Sequence, residues 1–311
     1  MKRPTLLRAG LALASLTTLL ATSCTAPRIM TMSGKVTPKG EFKAGGNLAF
    51  NLPTETISKT SSAVKEAATQ LASQDKVDYS TSGELVEKLQ VAALAYVLDP
   101  VQTAPDLYVR YGVIDRLDVG YKYAFGSHVF DGMYQFMGPV GTPEQPGGAA
   151  GAMYGSIGLQ FATQRAKLPD IPYLDDINGL LQFRATRNDL LVPLVFSHSF
   201  GPEEEIGAIS YGVVYSHTFL RYGFDPRNIY VSNSASQLIP SLPERKQSFS
   251  SYGAFVNVKV GFRYAYIVPA LAMYYQNYGT YQLLNSKSAK LSGMTFIPSI
   301  GVQFRIPTGR R

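Results

Sequence analysis

Residues 107–125 read LYVRYGVIDRLDVGYKYAF. Leu107, Val109, Tyr111 and Val113 alternate with Tyr108, Arg110 and Gly112, Ile114-Asp115-Arg116 makes a tight turn, and Leu117, Val119, Tyr121, Tyr123 and Phe125 alternate with Asp118, Gly120, Lys122 and Ala124. Successive side chains of a strand point to opposite faces, so the stretch is a β-hairpin with one apolar and one polar face. A short Gly126-Ser127-His128 connection follows. Phe130, Gly132, Tyr134 and Phe136 then alternate with Asp131, Met133 and Gln135, which adds a third antiparallel strand.

The same period recurs at 41–52, 152–163, 189–199, 206–220, 252–262, 264–279 and 293–306. With the meander, this predicts about ten strands, an even number, most of them longer than a soluble strand usually is. Short connections at 114–116, 200–205 and near 263 contrast with long ones at 53–104, 164–188, 221–251 and 280–292. Short turns at one end and long loops at the other are the pattern of an up-and-down transmembrane barrel. Two connections break it: 126–128 is short where a long loop belongs, and 138–151 is long where a turn belongs.

Residues 54–104 have a different composition. Val64, Ala67, Ala68 and Leu71 recur at helical spacing, which predicts a helix over 61–74. Thr81 and Glu84 match a capping box opening a second helix over 83–98. That helix is apolar nearly all round in its second half and must be buried. Leu85, Leu89, Ala92 and Tyr96 mark it as a layer covering a sheet, a cap packed into a mouth, or a plug.

Alternation alone does not separate a barrel in lipid from a soluble sandwich, because both have an apolar and a polar face. Three features favour lipid. The apolar face carries Tyr and Phe near strand ends (Tyr108, Tyr111, Tyr123, Phe125, Phe219, Tyr222, Phe262, Tyr274, Tyr275 and Tyr278), which suits interfacial girdles. The other face holds Gly, Ser, Gln and charges, which suits a narrow lumen. The last strand, with Ser299, Gly301, Phe304 and Ile306, is similar to the terminal signal of outer-membrane barrels, although five residues follow Ile306.

The N-terminus sets the compartment. Lys2, Arg3 and Arg8 precede the apolar run Leu11–Leu20, which leads to Leu20-Ala21-Thr22-Ser23-Cys24. A cationic start, a short apolar stretch and small residues before a cut make a secretory signal too short to span a bilayer. Ending on Cys, it resembles a bacterial lipoprotein signal, and the resemblance implies that Cys24 is acylated and becomes the mature N-terminus. The expected organisation is a signal at 1–23, a lipidated polar tether at 24–40, a barrel domain at 41–306 and a short tail at 307–311. Loss of the signal takes three cations and no carboxylates, so the net charge falls from +7 to +4. The basic residues are scattered, so nucleic acid is not an expected partner. Cys24 is the only cysteine, which excludes cysteine-based metal and redox sites.

The hairpin Tyr108–Tyr121 and Tyr134-Gln135-Phe136 resemble a group of bacterial lipoproteins with small outer-membrane β-barrels. The likeness covers 105–137 well and the remainder by pattern. It implies an all-β, antiparallel up-and-down barrel in the outer membrane, and it brings no reaction. Outer-membrane lipid, the lipoprotein-sorting machinery and the barrel-assembly machinery are the implied partners, no cofactor is implied, and any small solute is unidentified.

Hairpin geometry places Asp106, Arg110, Asp118, Lys122 and Asp131 in one charge ladder on the polar face, with Lys259 and Arg305 on other strands. The ladder fits a packed polar core or a narrow path for small polar solutes. Glu203-Glu204-Glu205 reads as a solvated turn. Asp170, Asp175 and Asp176 match no calcium-loop spacing. Ser197/His198 and Ser216/His217 are neighbours that point to opposite faces and form no nucleophile–base couple. A passive membrane role is therefore expected, as a structural barrel, a narrow pore or a facilitator of small or hydrophobic molecules. The rivals are a soluble surface or periplasmic lipoprotein sheet that binds a ligand or partner and, less favoured, an outer-membrane enzyme.

Overall fold

The computed structural model describes residues 28–59, 62–74, 76–124, 126–166, 172–232 and 237–308. Cys24, its signal, Phe125, Asp170 and residues 309–311 lie outside the described residues.

Ten antiparallel strands close into a barrel: β1 (Phe42–Pro53), β2 (Gln102–Ile114), β3 (Leu117–Ala124), β4 (Ser127–Met137), β5 (Met153–Ala166), β6 (Arg184–Ser199), β7 (Gly207–Phe224), β8 (Leu242–Phe262), β9 (Ala265–Gln282) and β10 (Ser288–Ile306). Each pairs with its sequence neighbours, and β1 also pairs with β10, Phe42 opposite Ile306 and Asn47 opposite Gly301. Closure leaves the barrel no free edge, and the second sheet among the described residues is a two-residue parallel pairing of Val77–Asp78 with Ile229–Tyr230 in the loops, so the sandwich alternative is not the fold.

The apolar side of the strands faces outward. On β7, Ile209, Tyr211, Val213, Tyr215 and Phe219 are exposed, and Phe130, Leu159, Ile267 and Ile300 continue the band around the barrel. Ile209 to Phe219 spans about 34 Å of strand, or about 26 Å of height at a tilt of about 40°. That height matches the hydrocarbon band of an outer-membrane barrel. Tyr108, Tyr222, Tyr274 and Tyr278 do not join the girdle. Tyr222, Tyr274 and Tyr278 are buried, and Tyr108 reaches Gln303 across the interior. They sit on the polar parity of their strands, where an aromatic can face a lumen as readily as a lipid.

Several strands continue past the alternating stretch. β8 begins at Leu242, not 252, and β10 at Ser288, not 293. Above Tyr252 the outward positions are Ser250, Ser248 and Lys246, so the apolar period stops while backbone pairing with β7 continues.

Between β1 and β2 lie α1 (Thr54–Lys59), α2 (Ser62–Ala72) and α3 (Tyr79–Leu98), and α4 (Pro172–Leu181) lies between β5 and β6. α3 starts earlier than the capping-box reading places it. Asp78 is its N-cap, accepting from the Ser80 amide, and Thr81 lies inside the helix. α2, α3 and α4 pack with Tyr281, Leu220, Phe224 and Phe249 of the strands in one apolar cluster that caps the loop end. Leu89, Ala92 and Tyr96 are buried there, while Leu85 is half-buried at its margin. The 138–152 connection folds under the opposite, turn end.

Candidate functional site

The lumen is filled by the chain itself. Residues 28–40, which composition marks as a solvated tether, instead run through the barrel from the loop end to the turn end before Gly40 turns the chain into β1. Arg28, Ile29, Met30, Lys35, Val36 and Thr37 are all buried. The correction has a physical cause: the wall's inward side chains are polar, so a polar, Gly- and Pro-containing segment satisfies them where an apolar plug could not.

At the loop end, Arg28 donates to Asp99 Oδ2 at 2.9 Å with both side chains 1% exposed. Asp99 follows α3 and also accepts from Asn51, Gln276, Thr295 and Tyr278. Burial pushes its carboxyl up, and Arg28, the Thr295 and Asn51 hydrogen bonds and the nearby Arg187 outweigh that and hold it below its ordinary value. Next to it, Arg187 is bidentate to Asp189 and donates to the Leu98 carbonyl at the end of α3, tying cap to wall.

In the middle, Met30 packs with Leu191, Val195, Phe255, Tyr274 and Ile297. Lys122 Nζ donates to the Ile29 carbonyl at 3.1 Å and Asn257 Nδ2 to the Met32 carbonyl at 2.9 Å.

At the turn end, Lys35 pairs with Glu203 and donates to the Gly141 carbonyl at 2.9 Å. Thr37 gives both its amide and its hydroxyl to Asp118 Oδ2 at 2.8 Å. Glu203-Glu204 is not a solvated turn. The two carboxylates are 3% and 1% exposed, and both residues hold left-handed φ (53° and 61°). Such backbone is uncommon outside Gly, and here it turns the side chains into the lumen. Glu204 takes Lys259 as its partner, and Lys259 with Lys43 outweighs burial and holds the carboxyl below its ordinary range.

The structure brings the five ladder residues together. Arg110 binds Asp118 at 2.6 Å and also Asp131, and Lys122 lies 3.6 Å from Asp106. Lys259 and Arg305 stand apart from them. Lys259 serves Glu204, and Arg305 clamps Glu41 and Glu144 at the rim. Among the described residues, eight carboxylates are buried in the wall and its turns: Glu41, Asp99, Asp106, Asp118, Asp131, Asp189, Glu203 and Glu204. Five wall cations pair with them directly, Arg110, Lys122, Arg187, Lys259 and Arg305, while Lys43 donates to the Lys35 carbonyl and forms no ion pair among the described residues. Two of the carboxylates, Asp99 and Glu203, take their cations from residues 28–40, as Arg28 and Lys35. Unpaired buried charges cost several kcal/mol each, so the wall and the inserted segment are electrostatically one unit.

The lumen keeps a cavity of roughly 50 Å³ beside Thr31, Met32, Arg110 and Lys122, enough for a few waters, and a smaller one beside Lys43, Glu204 and Lys259. Ser197 and Ser216 face the lumen, whereas His198 and His217 face away and pack on Tyr211 and Phe219. No cluster of three metal-ligating side chains occurs among the described residues. The inserted segment and the buried Glu203-Glu204 are what sequence reasoning missed. The adjacent cations and carboxylates were visible, but nothing local says that they meet inside a barrel.

No family model and no curated protein matches the chain. Solved structures with a similar course include the attachment invasion locus protein of Yersinia pestis, at 9% identity over 86% of this chain and 99% of that one, TM-score 0.30. OprG from Pseudomonas aeruginosa shows 12% identity over 88% and 99%, TM-score 0.31. A major outer membrane protein from Thermus thermophilus shows 8% identity over 85% and 99%, TM-score 0.32. These likenesses are low, and the fold reading rests on the chain's own geometry: a closed, ten-stranded antiparallel barrel of the outer-membrane type.

Proposed function

We propose that this chain is a lipid-anchored outer-membrane barrel with a closed lumen and a passive, structural role in the membrane. One observation carries the reading: among the described residues, the interior is filled along its length by residues 28–40 and covered at the loop end by the α3 cap. That leaves no continuous path for a solute, so the packed-core reading of the charge ladder is preferred to a pore. The outward apolar band supports the membrane location, and the Ala21-Thr22-Ser23-Cys24 sequence supports the anchor.

Planar-bilayer recording of the full-length protein tests the closed lumen, and the expected result is no unit conductance. Steady channels of the unmodified chain would overturn it. Labelling with a radioactive fatty acid, lost in Cys24→Ser, tests the anchor.

A further inference from the structure

We propose that the lumen is a binding site for an extended, dicationic peptide segment, and that residues 28–40 are its tethered, exchangeable occupant. Three observations point the same way.

First, the segment is bound as a ligand is bound, not as a strand. Among the described residues its only bridge to the barrel ladder is Lys39 with Gly112, at its very end. Elsewhere its backbone is met by side chains: Tyr274 on the Arg28 carbonyl, Asn257 on the Met32 carbonyl, Ser197 Oγ on the Gly34 amide and Gln135 on the Val36 amide. Backbone contacts of this kind hold an extended peptide without reading most of its sequence.

Second, two positions are read. Asp99 and Glu203 each take one cation, Arg28 and Lys35, seven residues apart, or about 23 Å of extended chain. Asp99 keeps only neutral donors besides Arg28 among its direct partners, and Glu203 keeps only the Tyr154 hydroxyl and the Gly147 amide. An emptied wall leaves two buried carboxylates without a directly paired cation, so it selects a ligand with two cations at that separation.

Third, Gly34 sits where a Cβ would meet the Tyr154 carbonyl oxygen at 2.6 Å and the Ser197 amide nitrogen at 3.0 Å. The site therefore prefers a residue without a side chain just before the second cation. The recognised pattern is a cation, five residues, Gly, and a cation.

Exchange is testable in the full-length chain in detergent, independently of any membrane role. Thr31 lines the small cavity, and with Cys24→Ser in place Thr31→Cys supplies the only thiol. A water-soluble maleimide should label it slowly. Adding Arg28→Gln and Lys35→Gln should raise the rate at least tenfold. An excess of a synthetic peptide of residues 28–40 should raise it several-fold in the otherwise unaltered chain, whereas the same peptide with glutamate at both cationic positions should not. If labelling is unmoved by peptide and by substitution while the protein keeps its heat-modifiable migration, the segment is a fixed part of the core and the proposal fails. If the double-glutamine chain does not fold, the peptide competition decides alone.

Discussion

Arg28 and Asp99 show how the barrel interior is held at the level of single residues. Both are buried, and Asp99 gathers four further donors, so removing only the cation strands a negative charge in a buried site. Arg28→Met should cost about 3–5 kcal/mol, read as a lower urea midpoint of the folded band on an unboiled gel. Arg28→Met with Asp99→Asn should recover much of that loss, because neither charge is then left alone. A loss in the double variant as large as in the single one would mean that the guanidinium acts through packing. At the rim, the Arg305 hydrogen bond holds the Glu144 carboxyl at about 2, below its ordinary 4.5. A depressed carboxyl stabilises the fold fully above about pH 4.5, and that contribution is lost as the pH falls through about 2. Glu144→Gln should therefore flatten the fall in unfolding midpoint between those two pH values and leave the neutral-pH slope unchanged.

The elements differ in how plainly the sequence announces them. Leu89 is 1% exposed against the loop-end cluster, and Leu85 lies half-buried one turn earlier. Leu89→Ala should cost about 2–5 kcal/mol of cap stability. It should appear as faster proteolysis within residues 54–101 while the barrel band on the gel persists, whereas Leu85→Ala should do much less. Equal sensitivity at both positions would mean that the cap is loosely packed. The hairpins were legible because the residues of 107–124, Tyr108 apart, report their own face through a period of two, with no knowledge of distant chain. The helices were legible in part, for α3 is apolar nearly all round, but its cap was misplaced because Asp78 and Thr81 are both good capping residues. The extra length of β8 was not legible, since Lys246 and Ser248 face water above the band while their backbone still pairs with β7. The inserted segment was illegible for a deeper reason. Arg28, Gly34 and Lys35 have the composition of a linker, and only the placement of Asp99 and Glu203 far along the chain makes a lumen site of them. Gly112 closes that site from below, where a Cβ would lie 2.0 Å from the Pro38 oxygen. Gly112→Ala should therefore loosen the exit of residues 28–40, at a cost of about 1–3 kcal/mol, and speed maleimide labelling of Thr31→Cys.

At the scale of the whole molecule, everything turns on which solvent meets the outward face. The lumen cannot decide it, because a polar interior satisfied by its own chain would serve a barrel in water as well as one in lipid. The outer band can. Val213 is 56% exposed midway along β7, between the exposed Tyr211 and Tyr215. In water, an arginine at so open a position would change stability by no more than about 0.5 kcal/mol and would improve solubility. In a bilayer the same side chain displaces apolar contact at mid-depth and costs about 2–4 kcal/mol, falling towards zero near the interfaces. The informative measurement is therefore a depth series on one strand. Arginine at 213 should lower the unfolding midpoint in lipid vesicles most. Arginine at 209, near the turn end of β7, should lower it less, and arginine at 219, near the opposite edge, should also lower it less. A flat series would place the belt in water, and the barrel would then be a soluble shell around its own N-terminal segment. A profile peaked at 213 would place the centre of the membrane on the ring that includes Val213. It would also fix the loop-end cap, the Arg28–Asp99 pair and the start of residues 28–40 on one side of that centre, and Lys35, Glu203 and the short turns on the other.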